Sequence, residues 1–529
     1  MNLARVSQIL SGFLLFFSLV ELVPLAVSWF EAPPVAKGID AKMGFLSGSA
    51  IGLLLAGLFH LAGRGARPEF FRREALLVVA LAWLLASGVG ALPFLWSGAL
   101  PTAPDALYES VSGLTTCGGT VFTSGPNFAV EDLPASILLW RALLHLMGGL
   151  GILLMFLVLL PIMGAATGKS LLASEATGVA AETLSPRMQE QAHALFRVYL
   201  GLIGLDTLGL WLLGMSGFDA FCHACATVAT GGFSTRNYSI GQYGSVGIEV
   251  WTTAFMFLGA CNFILLHDLV RARFRNPLLL WRNDEFRFFL GCTVVAVAFV
   301  AFRLHAWGQR MEDPALGRVH DYGDLLVCLR EASFNVVSYM STTGFATADF
   351  QNWPRVTIFV LILGVLMGGC TGSTGGSVKA LRVLVTWRLL AYSLRHFIRP
   401  KSVEKIKLDG EALSATTMTA VLSTTLLWLL VLAAGTLVMS LDPRLDLLSS
   451  FTANAANMAN CGPALTAVRE TAPGLFAVAN TGDLNLGPYG GYGGLDGWTK
   501  LLLAAQMLFG RLEIYTLLAV LAPMFWRRT

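Results

Sequence analysis

The sequence predicts an all-α membrane protein. Four pseudo-repeats of helix, pore helix, turn and helix surround one pore, and a two-helix hairpin precedes them. Three observations lead to this fold class. The 529 residues are 55% hydrophobic and only 13% charged, whereas soluble domains carry about 25% charged residues. Four similar glycine-containing turns recur about every 115 residues. Basic residues concentrate in alternate loops, as they do on the cytoplasmic side of membrane proteins.

The apolar segments divide into the hairpin and the four repeats. A helix that crosses a bilayer needs about 20 mostly apolar residues, and about ten segments are of this kind. They are 9–30 and 44–62 in the hairpin, then 75–94, 137–160, 194–215, 246–266, 288–302, 356–385, 417–439 and 500–525. Four shorter segments each end at a turn and are predicted to enter the membrane without crossing it; they are 105–114, 218–229, 324–340 and 445–458.

These segments predict five domains and one orientation. The domains are the hairpin, 1–66, and the four pore repeats, 67–168, 169–278, 279–400 (with a gating loop) and 401–529. The helix order places all strongly basic loops on one side, which is predicted to be cytoplasmic, so the turns are entered from the outer side. The basic residues are Arg64, Arg67, Arg72, Arg73, Arg271, Arg273, Arg275, Arg282, Arg287, Arg388, Arg395, Arg399, Lys401, Lys405, Lys407, Arg527 and Arg528.

The four turns form the candidate ion-binding site. Non-helical backbone at membrane depth is tolerated only where it is buried in protein or lines water, and a ring of backbone carbonyls can replace the hydration shell of a cation. No carboxylate lies in the turns, which favours a monovalent ion. The predicted ion-binding residues are Thr116, Cys117, Gly118, Thr230, Gly231, Gly232, Thr342, Thr343, Gly344, Asn460, Cys461 and Gly462.

The dipole of each short helix supports the same interpretation. The negative end of the dipole is directed at the turn, and Asp105, Asp219 and Glu331 are predicted near the opposite, positive ends. The alternative is that the turns are ordinary helix breaks in a packed bundle, which their near-equal spacing disfavours.

A glycine-rich stretch, 368–377, interrupts the last helix of the third repeat and is followed by Lys379 and Arg382. It is too flexible for a long helix and too polar to face lipid, so it is predicted to cross the pore below the turns as a movable barrier. The alternative is a kink for close helix packing. A phosphate-binding loop is disfavoured because the Gly-Lys-Ser/Thr order is missing. The predicted gate residues are Gly369, Gly372, Gly375, Gly376, Lys379 and Arg511.

Two arginines within apolar helices receive different predictions. Arg511 is expected to face the pore beside the glycine-rich stretch, where its charge would impede cations while the barrier is closed. Arg141 is expected near the outer end of its helix, with its charged group extended to the surface and little functional role.

Ordered motifs along nearly the whole chain resemble the Trk/Ktr/HKT superfamily of potassium transporters, and within it the TrkH branch. The leading hairpin also fits that branch. The sequence departs from the family pattern at Ala464, where a further glycine is common, and in the long segment 469–499, which is expected to be an outer loop. The matching motifs are 112–118, 140–143, 148–151, 184–187, 229–235, 341–345, 368–382, 460–463 and 510–513.

The resemblance implies potassium uptake across the bacterial inner membrane by a multi-pass protein. It also implies a homodimer with one pore in each protomer, a selectivity filter built from the four turns, and a gate formed by the glycine-rich loop and contacted by Arg511. Potassium is then the bound ion, with no organic cofactor in the chain, and a cytosolic nucleotide-binding ring protein of the TrkA type is the expected partner. In this superfamily, a glycine at the position of Gly118 accompanies potassium preference.

Other functions remain as alternatives. A relative that prefers sodium or is poorly selective is one, and a scaffold subunit without ion flux is another. A membrane-embedded enzyme would need clustered histidines or carboxylates, whereas Asp206, Glu249, His267 and Asp268 are dispersed. The net charge of +3 implies no attraction to nucleic acid. The eight cysteines are expected as buried thiols, since Cys222 and Cys225 lack the second pair of a zinc site.

Overall fold

The computed structural model describes residues 1–31, 38–67, 71–122, 128–163, 186–273, 275, 278–313, 316–401, 405–465, 468–472, 475–478 and 486–527. These residues are mostly helical, and several helices are long and apolar enough to cross a membrane. The predicted all-α membrane class is therefore confirmed. Parts of three sequence predictions lie outside the described residues: Arg528, the start of the motif at 184–187, and 473–474 and 479–485 of the outer segment.

The helices are numbered here in chain order. They are α1 (Leu3–Ser28), α2 (Ala41–Ala62), α3 (Arg72–Trp96), α4 (Ala103–Leu114), α5 (Ala135–Met163), α6 (Pro186–Leu212), α7 (Gly217–Val228), α8 (Val246–Gly259), α9 (Phe263–Arg271), α10 (Leu278–Arg282), α11 (Asp284–Trp307), α12 (Leu325–Met340), α13 (Arg355–Met367), α14 (Ala380–Ile398), α15 (Ala415–Met439), α16 (Leu447–Met458), α17 (Gly497–Arg511), α18 (Ile514–Leu521) and α19 (Pro523–Trp526). Short 3₁₀ helices lie at Val130–Asp132, Ser239–Tyr243 and Phe350–Asn352.

Within the described residues, the strands form three antiparallel hairpins in the loops, which the sequence did not predict. They pair β1 (Arg310–Asp313) with β2 (Arg318–Asp321), β3 (Lys407–Leu408) with β4 (Glu411–Ala412), and β5 (Val468–Ala472) with β6 (Leu475–Val478).

The N-terminal hairpin packs closely because glycines line α2. A Cβ at Gly44 would lie 2.6 Å from the carbonyl oxygen of Pro93, and one at Gly52 would lie 2.1 Å from the hydroxyl of Ser18. Small residues of this kind let membrane helices approach each other. The hairpin is therefore fixed against α3 rather than loosely appended.

Four short helices, α4, α7, α12 and α16, precede the four turns. Each begins at a side chain that accepts a hydrogen bond from a backbone N–H of the first turn, namely Thr102, Ser216, Asp324 and Asp446. The 12 residues of α4 extend about 18 Å, which is less than the about 30 Å of the hydrocarbon core. These helices can enter a membrane but cannot cross it.

Several predicted spans are broken in the structure. Among the described residues, six helices are long and apolar enough to cross a membrane, or up to eight if each bent pair counts as one span, and the apolar helix Arg355–Met367 is shorter. The pair α8 and α9 meets at 102°, and α17 and α18 meet at 110°. Asn262 explains the first break, because its side chain accepts from the N–H groups of Ile264 and Leu265 and so starts a new helix. Averaged hydropathy cannot register one such capping residue.

The cysteines lie in the interior as expected. All eight are unpaired thiols; Cys292 is half-buried and the others are buried. Cys222 and Cys225 lie on one short helix, α7, with no group of three His, Cys, Asp or Glu able to hold a metal in the described part of the chain.

Candidate ion-binding site and gate

Each short helix ends in the same hydrogen-bonded turn. The residue after the helix cap adopts a left-handed conformation, and the next amide bonds to a carbonyl in the last turn of the helix, as in a Schellman motif. The left-handed residues are Thr116, Thr230, Thr342 and Asn460, with φ of 53°, 52°, 62° and 55°. The closing bonds are Cys117 N to Ser112 O, 2.9 Å; Gly231 N to Ala226 O, 2.7 Å; Thr343 N to Ser338 O, 2.8 Å; and Cys461 N to Ala456 O, 2.8 Å.

Threonine is energetically unfavourable in the left-handed conformation. A helix normally takes glycine or asparagine at this position, and a positive φ is a genuine outlier for a β-branched residue. Such strain costs about 1–3 kcal/mol for each residue and persists at sites whose surroundings impose it. Three threonines at equivalent positions therefore indicate that their side chains are needed there.

The four glycines two residues further on close the turns into a ring. Their φ values lie between 79° and 89°, and a Cβ on each would collide with a carbonyl oxygen of the next turn. The oxygen would be that of Gly231 for Gly118 (2.0 Å), Thr343 for Gly232 (2.0 Å), Cys461 for Gly344 (1.9 Å) and Cys117 for Gly462 (2.7 Å). Each turn thus touches its successor, and the fourth touches the first.

A cavity of about 110 Å³ lies above this ring, on the side predicted to face outward, and all four glycines line it. The described part of the long outer segment also lines it, through residues that include Tyr489 and Tyr492. The Tyr492 hydroxyl donates to the carbonyl oxygen of Gly462 (2.6 Å), and its amide donates to that of Thr120 (2.8 Å). The segment that the sequence left without a role therefore holds the first and fourth turns.

Side chains on the short helices support the outer part of the turns. Glu109, His223 and Asn335 stand at the same position, nine residues before the glycine. Their partners are the hydroxyls of Thr120 (3.0 Å), Ser234 (2.9 Å) and Thr347 (3.1 Å). In the fourth unit, the neighbouring Thr452 hydroxyl accepts from the amide of Leu465 (3.2 Å). These residues were not among the predicted site residues, although a carboxylate within a short apolar helix is a functional candidate by default.

The glycine-rich loop lies directly against the inner side of the turns. Its Thr374 hydroxyl donates to the carbonyl oxygens of Val228 (2.9 Å) and Gly259 (3.0 Å), and the amide of Gly376 donates to the hydroxyl of Thr342 (2.7 Å). A Cβ at Gly376 would lie 2.0 Å from the carbonyl oxygen of Ala459. The loop therefore contacts the ends of the second, third and fourth short helices.

Charged side chains hold this loop from below. The Arg511 guanidinium donates to the carbonyl oxygen of Thr374 (2.6 Å) and, more weakly, to that of Gly148 (3.4 Å). Lys379 donates from Nζ to the carbonyl oxygen of Gly375. The Glu285 carboxylate accepts from the amides of Thr371 (2.6 Å) and Leu381 (3.1 Å), at the two ends of the loop.

The structure places Arg511 against the glycine-rich loop, as the sequence predicted, but at a helix break rather than within a helix. Arg511 is the last residue of α17, and Glu513 is the cap residue immediately before α18. Glu513 pairs with Arg382, which follows the loop, at 2.6 Å. This ion pair thus joins the glycine-rich loop between α13 and α14 to the break between α17 and α18. The roles assigned to the gate residues stay predictions.

Two expectations were wrong. Arg141 does not extend to the surface; it is 2% exposed and pairs with Glu109 at 2.8 Å. A partner 32 residues away gives the guanidinium an internal counter-charge, so it has no need of water. Glu331 does not lie at the start of α12 but within it, where its carboxylate accepts from the hydroxyl of Thr347 (2.9 Å).

Comparisons with known proteins agree on one family. Residues 42–482 match the family described as TrkH, cation transport protein. The Trk system potassium uptake protein TrkH of Escherichia coli K12 is 32% identical over 521 residues, which cover 97% of this chain and 99% of that protein. The Trk system potassium uptake protein TrkG of the same organism is 30% identical over 528 residues, with 99% of each chain covered.

A solved structure resembles the whole chain. The crystal structure of the potassium transporter TrkH from Vibrio parahaemolyticus superposes with a TM-score of 0.84 at 30% sequence identity, and the match covers 100% of both chains.

Proposed function

The chain belongs to the TrkH family of cation transport proteins, and from that premise we propose that it carries potassium inward across the bacterial inner membrane. The ions pass through the ring of four turns, which acts as the selectivity filter. The glycine-rich loop below the ring acts as the gate. Transport runs down the electrochemical gradient of the ion.

The closed ring of turns is the observation that carries this proposal. Four glycines in the left-handed region bring each turn against a carbonyl oxygen of the next. Backbone carbonyls at such a constriction can replace the water around a cation. Four short helices also direct the negative ends of their dipoles at the ring, which lowers the energy of a cation there without a fixed carboxylate.

Potassium is the preferred ion in this proposal. The relatives whose names specify an ion are potassium uptake proteins or a potassium transporter. The turns contain no carboxylate, so they lack the ligands that a divalent cation favours. The filter residues are those of the four turns: 116–118, 230–232, 342–344 and 460–462.

Control of flux falls to the loop. Thr374 and Gly376 of the loop contact the inner ends of the turns, and Arg511 contributes a positive charge where it bonds to Thr374. Removing the loop from below the ring requires that its bonds to Thr342, Val228 and Glu285 break. We assign Lys379 and Arg511 to the gate on this basis.

The assembly is also part of the proposal. The protein acts as a homodimer with a pore in each protomer, organised in the five domains 1–66, 67–168, 169–278, 279–400 and 401–529. A cytosolic nucleotide-binding ring protein of the TrkA type regulates it from the basic side. The name of the relatives, Trk system, supports a system with more than one component.

Ion flux into proteoliposomes tests the proposal. Purified protein is reconstituted, and uptake of potassium, rubidium, sodium and lithium is measured at equal driving force. We expect potassium and rubidium flux to exceed sodium and lithium flux. Sodium flux equal to potassium flux would instead support the poorly selective or sodium-preferring alternative. No flux of any ion, together with no growth rescue of a potassium-uptake-deficient strain, would support a scaffold role.

A further inference from the structure

A buried ion pair lies between the first two turns of the ring, on their outer side. Arg141 of α5 donates from Nε to the carboxylate of Glu109 of α4 at 2.8 Å. The pair is shielded almost completely from bulk solvent, since Glu109 is 0% exposed and Arg141 is 2% exposed. Ion pairs buried in this way are stable only when further hydrogen bonds satisfy both groups.

Those further bonds all go to the first two turns. The Glu109 carboxylate accepts from the amide of Val121 (2.9 Å) and the hydroxyl of Thr120 (3.0 Å). Arg141 donates from its remaining nitrogens to the carbonyl oxygen of Ser234 (2.9 Å) and to the Thr120 hydroxyl (3.3 Å). Thr120 follows Gly118 by two residues, and Ser234 follows Gly232 by two. One pair thus braces two neighbouring turns at the same level.

The aromatic residue after Gly232 reinforces this brace. The Arg141 guanidinium carbon lies 4.0 Å from the centre of the Phe233 ring. His145, one helical turn further along α5, stacks on the same ring with centroids 4.3 Å apart. A cation held over an aromatic face is stabilised, so Phe233 is fixed by the same helix that holds Glu109.

The pair also affects the field at the outer mouth. Arg141 lines the cavity above the ring, together with Gly118 and Gly232. Its positive charge faces the route of arriving cations, and the carboxylate of Glu109 neutralises it. The residues that correspond to Glu109 in the second, third and fourth units are His223, Asn335 and Ala453, so a carboxylate at this position belongs to the first unit.

We propose that Glu109 and Arg141 are positioning residues for the filter, with two separable roles. The directed hydrogen bonds of the pair set the spacing of the first two turns and so the preference for potassium over sodium. The charge balance of the pair keeps the outer mouth open to cations and so sets the potassium concentration of half-maximal transport. This inference rests on the proposed function of the ring as a filter.

Four variants separate the two roles. Glu109→Gln keeps the shape of the side chain but leaves the charge of Arg141 unpaired beside the mouth. A charge at about 10 Å with an effective dielectric constant of about 20 changes cation occupancy roughly tenfold, so we expect KM for potassium to rise roughly tenfold. Glu109→Gln/Arg141→Gln removes both charges, and we expect KM to return close to that of the unmodified protein.

The third and fourth variants keep the charge balance and remove bonds. Arg141→Lys retains the positive charge but loses the planar fork that reaches Glu109, Ser234 and Thr120 together. Thr120→Val retains both charges and removes the hydroxyl that the pair shares. For both we expect KM within about twofold of normal and a severalfold lower ratio of potassium to sodium kcat/KM, because fewer directed hydrogen bonds then join the pair to the two turns.

Arg388→Gln serves as a matched control, because it breaks a pair with Asp284 (2.8 Å) that joins α14 to α11 and involves none of the four turns. Its selectivity and KM should stay normal. Each variant is assayed by ion flux in proteoliposomes. Only variants that elute from size-exclusion chromatography as the unmodified protein does, and that unfold at a similar temperature, are compared.

Unchanged selectivity in Arg141→Lys and Thr120→Val would overturn the positioning role. Unchanged KM in Glu109→Gln would overturn the electrostatic role. These results differ from failure of the proposed function, which would show as absent or unselective flux in the unmodified protein.

Discussion

Gly344→Ser tests whether the turns form a filter. A serine Cβ here would lie 1.9 Å from the carbonyl oxygen of Cys461 and 2.6 Å from Cδ of Pro463, whereas real Cβ atoms essentially never come within 3.0 Å. The carbonyl must therefore move by at least about 1 Å. In addition, φ of 82° costs an L-residue about 1–2 kcal/mol. Both effects act on the carbonyls that would contact the ion.

A displaced carbonyl should discriminate poorly between ions that differ in size. We expect the ratio of potassium to sodium kcat/KM to fall about tenfold or more, which corresponds to about 1.4 kcal/mol. The assay is competitive flux in proteoliposomes.

Two glycine variants serve as controls. Gly204→Ser introduces the same side chain on α6, where nothing lies within 4 Å, and Gly214→Ser does so at φ 108° without a neighbour within 4 Å. Both should keep normal selectivity, so crowding of the ring is separated from backbone strain alone. A folded Gly344→Ser protein with normal selectivity would refute the filter assignment.

Three further changes probe the gate and the outer mouth. Deleting two residues of the 372–376 segment should raise basal flux severalfold, since fewer loop bonds hold the barrier; unaltered flux would mean that the segment serves packing only. Arg511→Met keeps the length of the side chain but removes its bond to Thr374, and should raise flux in the absence of any partner. Tyr492→Phe removes the 2.6 Å bond to Gly462, worth about 0.5–1.5 kcal/mol, and should reduce potassium preference about twofold to tenfold; an unchanged ratio would show that the outer segment does not support the ring.

The sequence was most informative where the same pattern recurs. Thr116, Thr230, Thr342 and Asn460 each precede a glycine by two residues, and the structure gives all four the same left-handed conformation. Recurrence identifies such positions because one backbone geometry imposes one pattern of residues. The fold class followed from hydropathy for a similar reason, since about 20 apolar residues are required of every spanning helix.

The sequence was least informative about contacts between distant segments. Arg141 lies in an apolar helix and has no charged partner among its neighbours in sequence. The carboxylate that pairs with it is that of Glu109, on another helix. Tyr492 touches Gly462 and Thr120 from a loop whose length alone suggested nothing. Such pairings depend on which helix faces meet, and neither periodicity nor composition encodes that. The bend at Asn262 was missed for a different reason, because a single capping residue hardly changes the mean hydropathy of its segment.

The attachment of the glycine-rich loop sets the energy scale of gating under the proposed function. The loop is held by bonds of Thr374 to Val228 and Arg511, of Gly376 to Thr342, and of the amides of Thr371 and Leu381 to Glu285. At about 0.5–1.5 kcal/mol for a neutral bond and about 1.5–3 kcal/mol for one to a charged group, together these bonds favour the attached loop by several kcal/mol.

Shifting a two-state equilibrium from 1:99 to 99:1 takes about 5.5 kcal/mol. Loss of the Arg511 bond alone should therefore raise the released fraction roughly tenfold to a hundredfold without making it complete, and full opening requires binding energy from outside the chain. The cytosolic partner proposed above would supply it, so Arg511→Met should lower the requirement for that partner rather than abolish it.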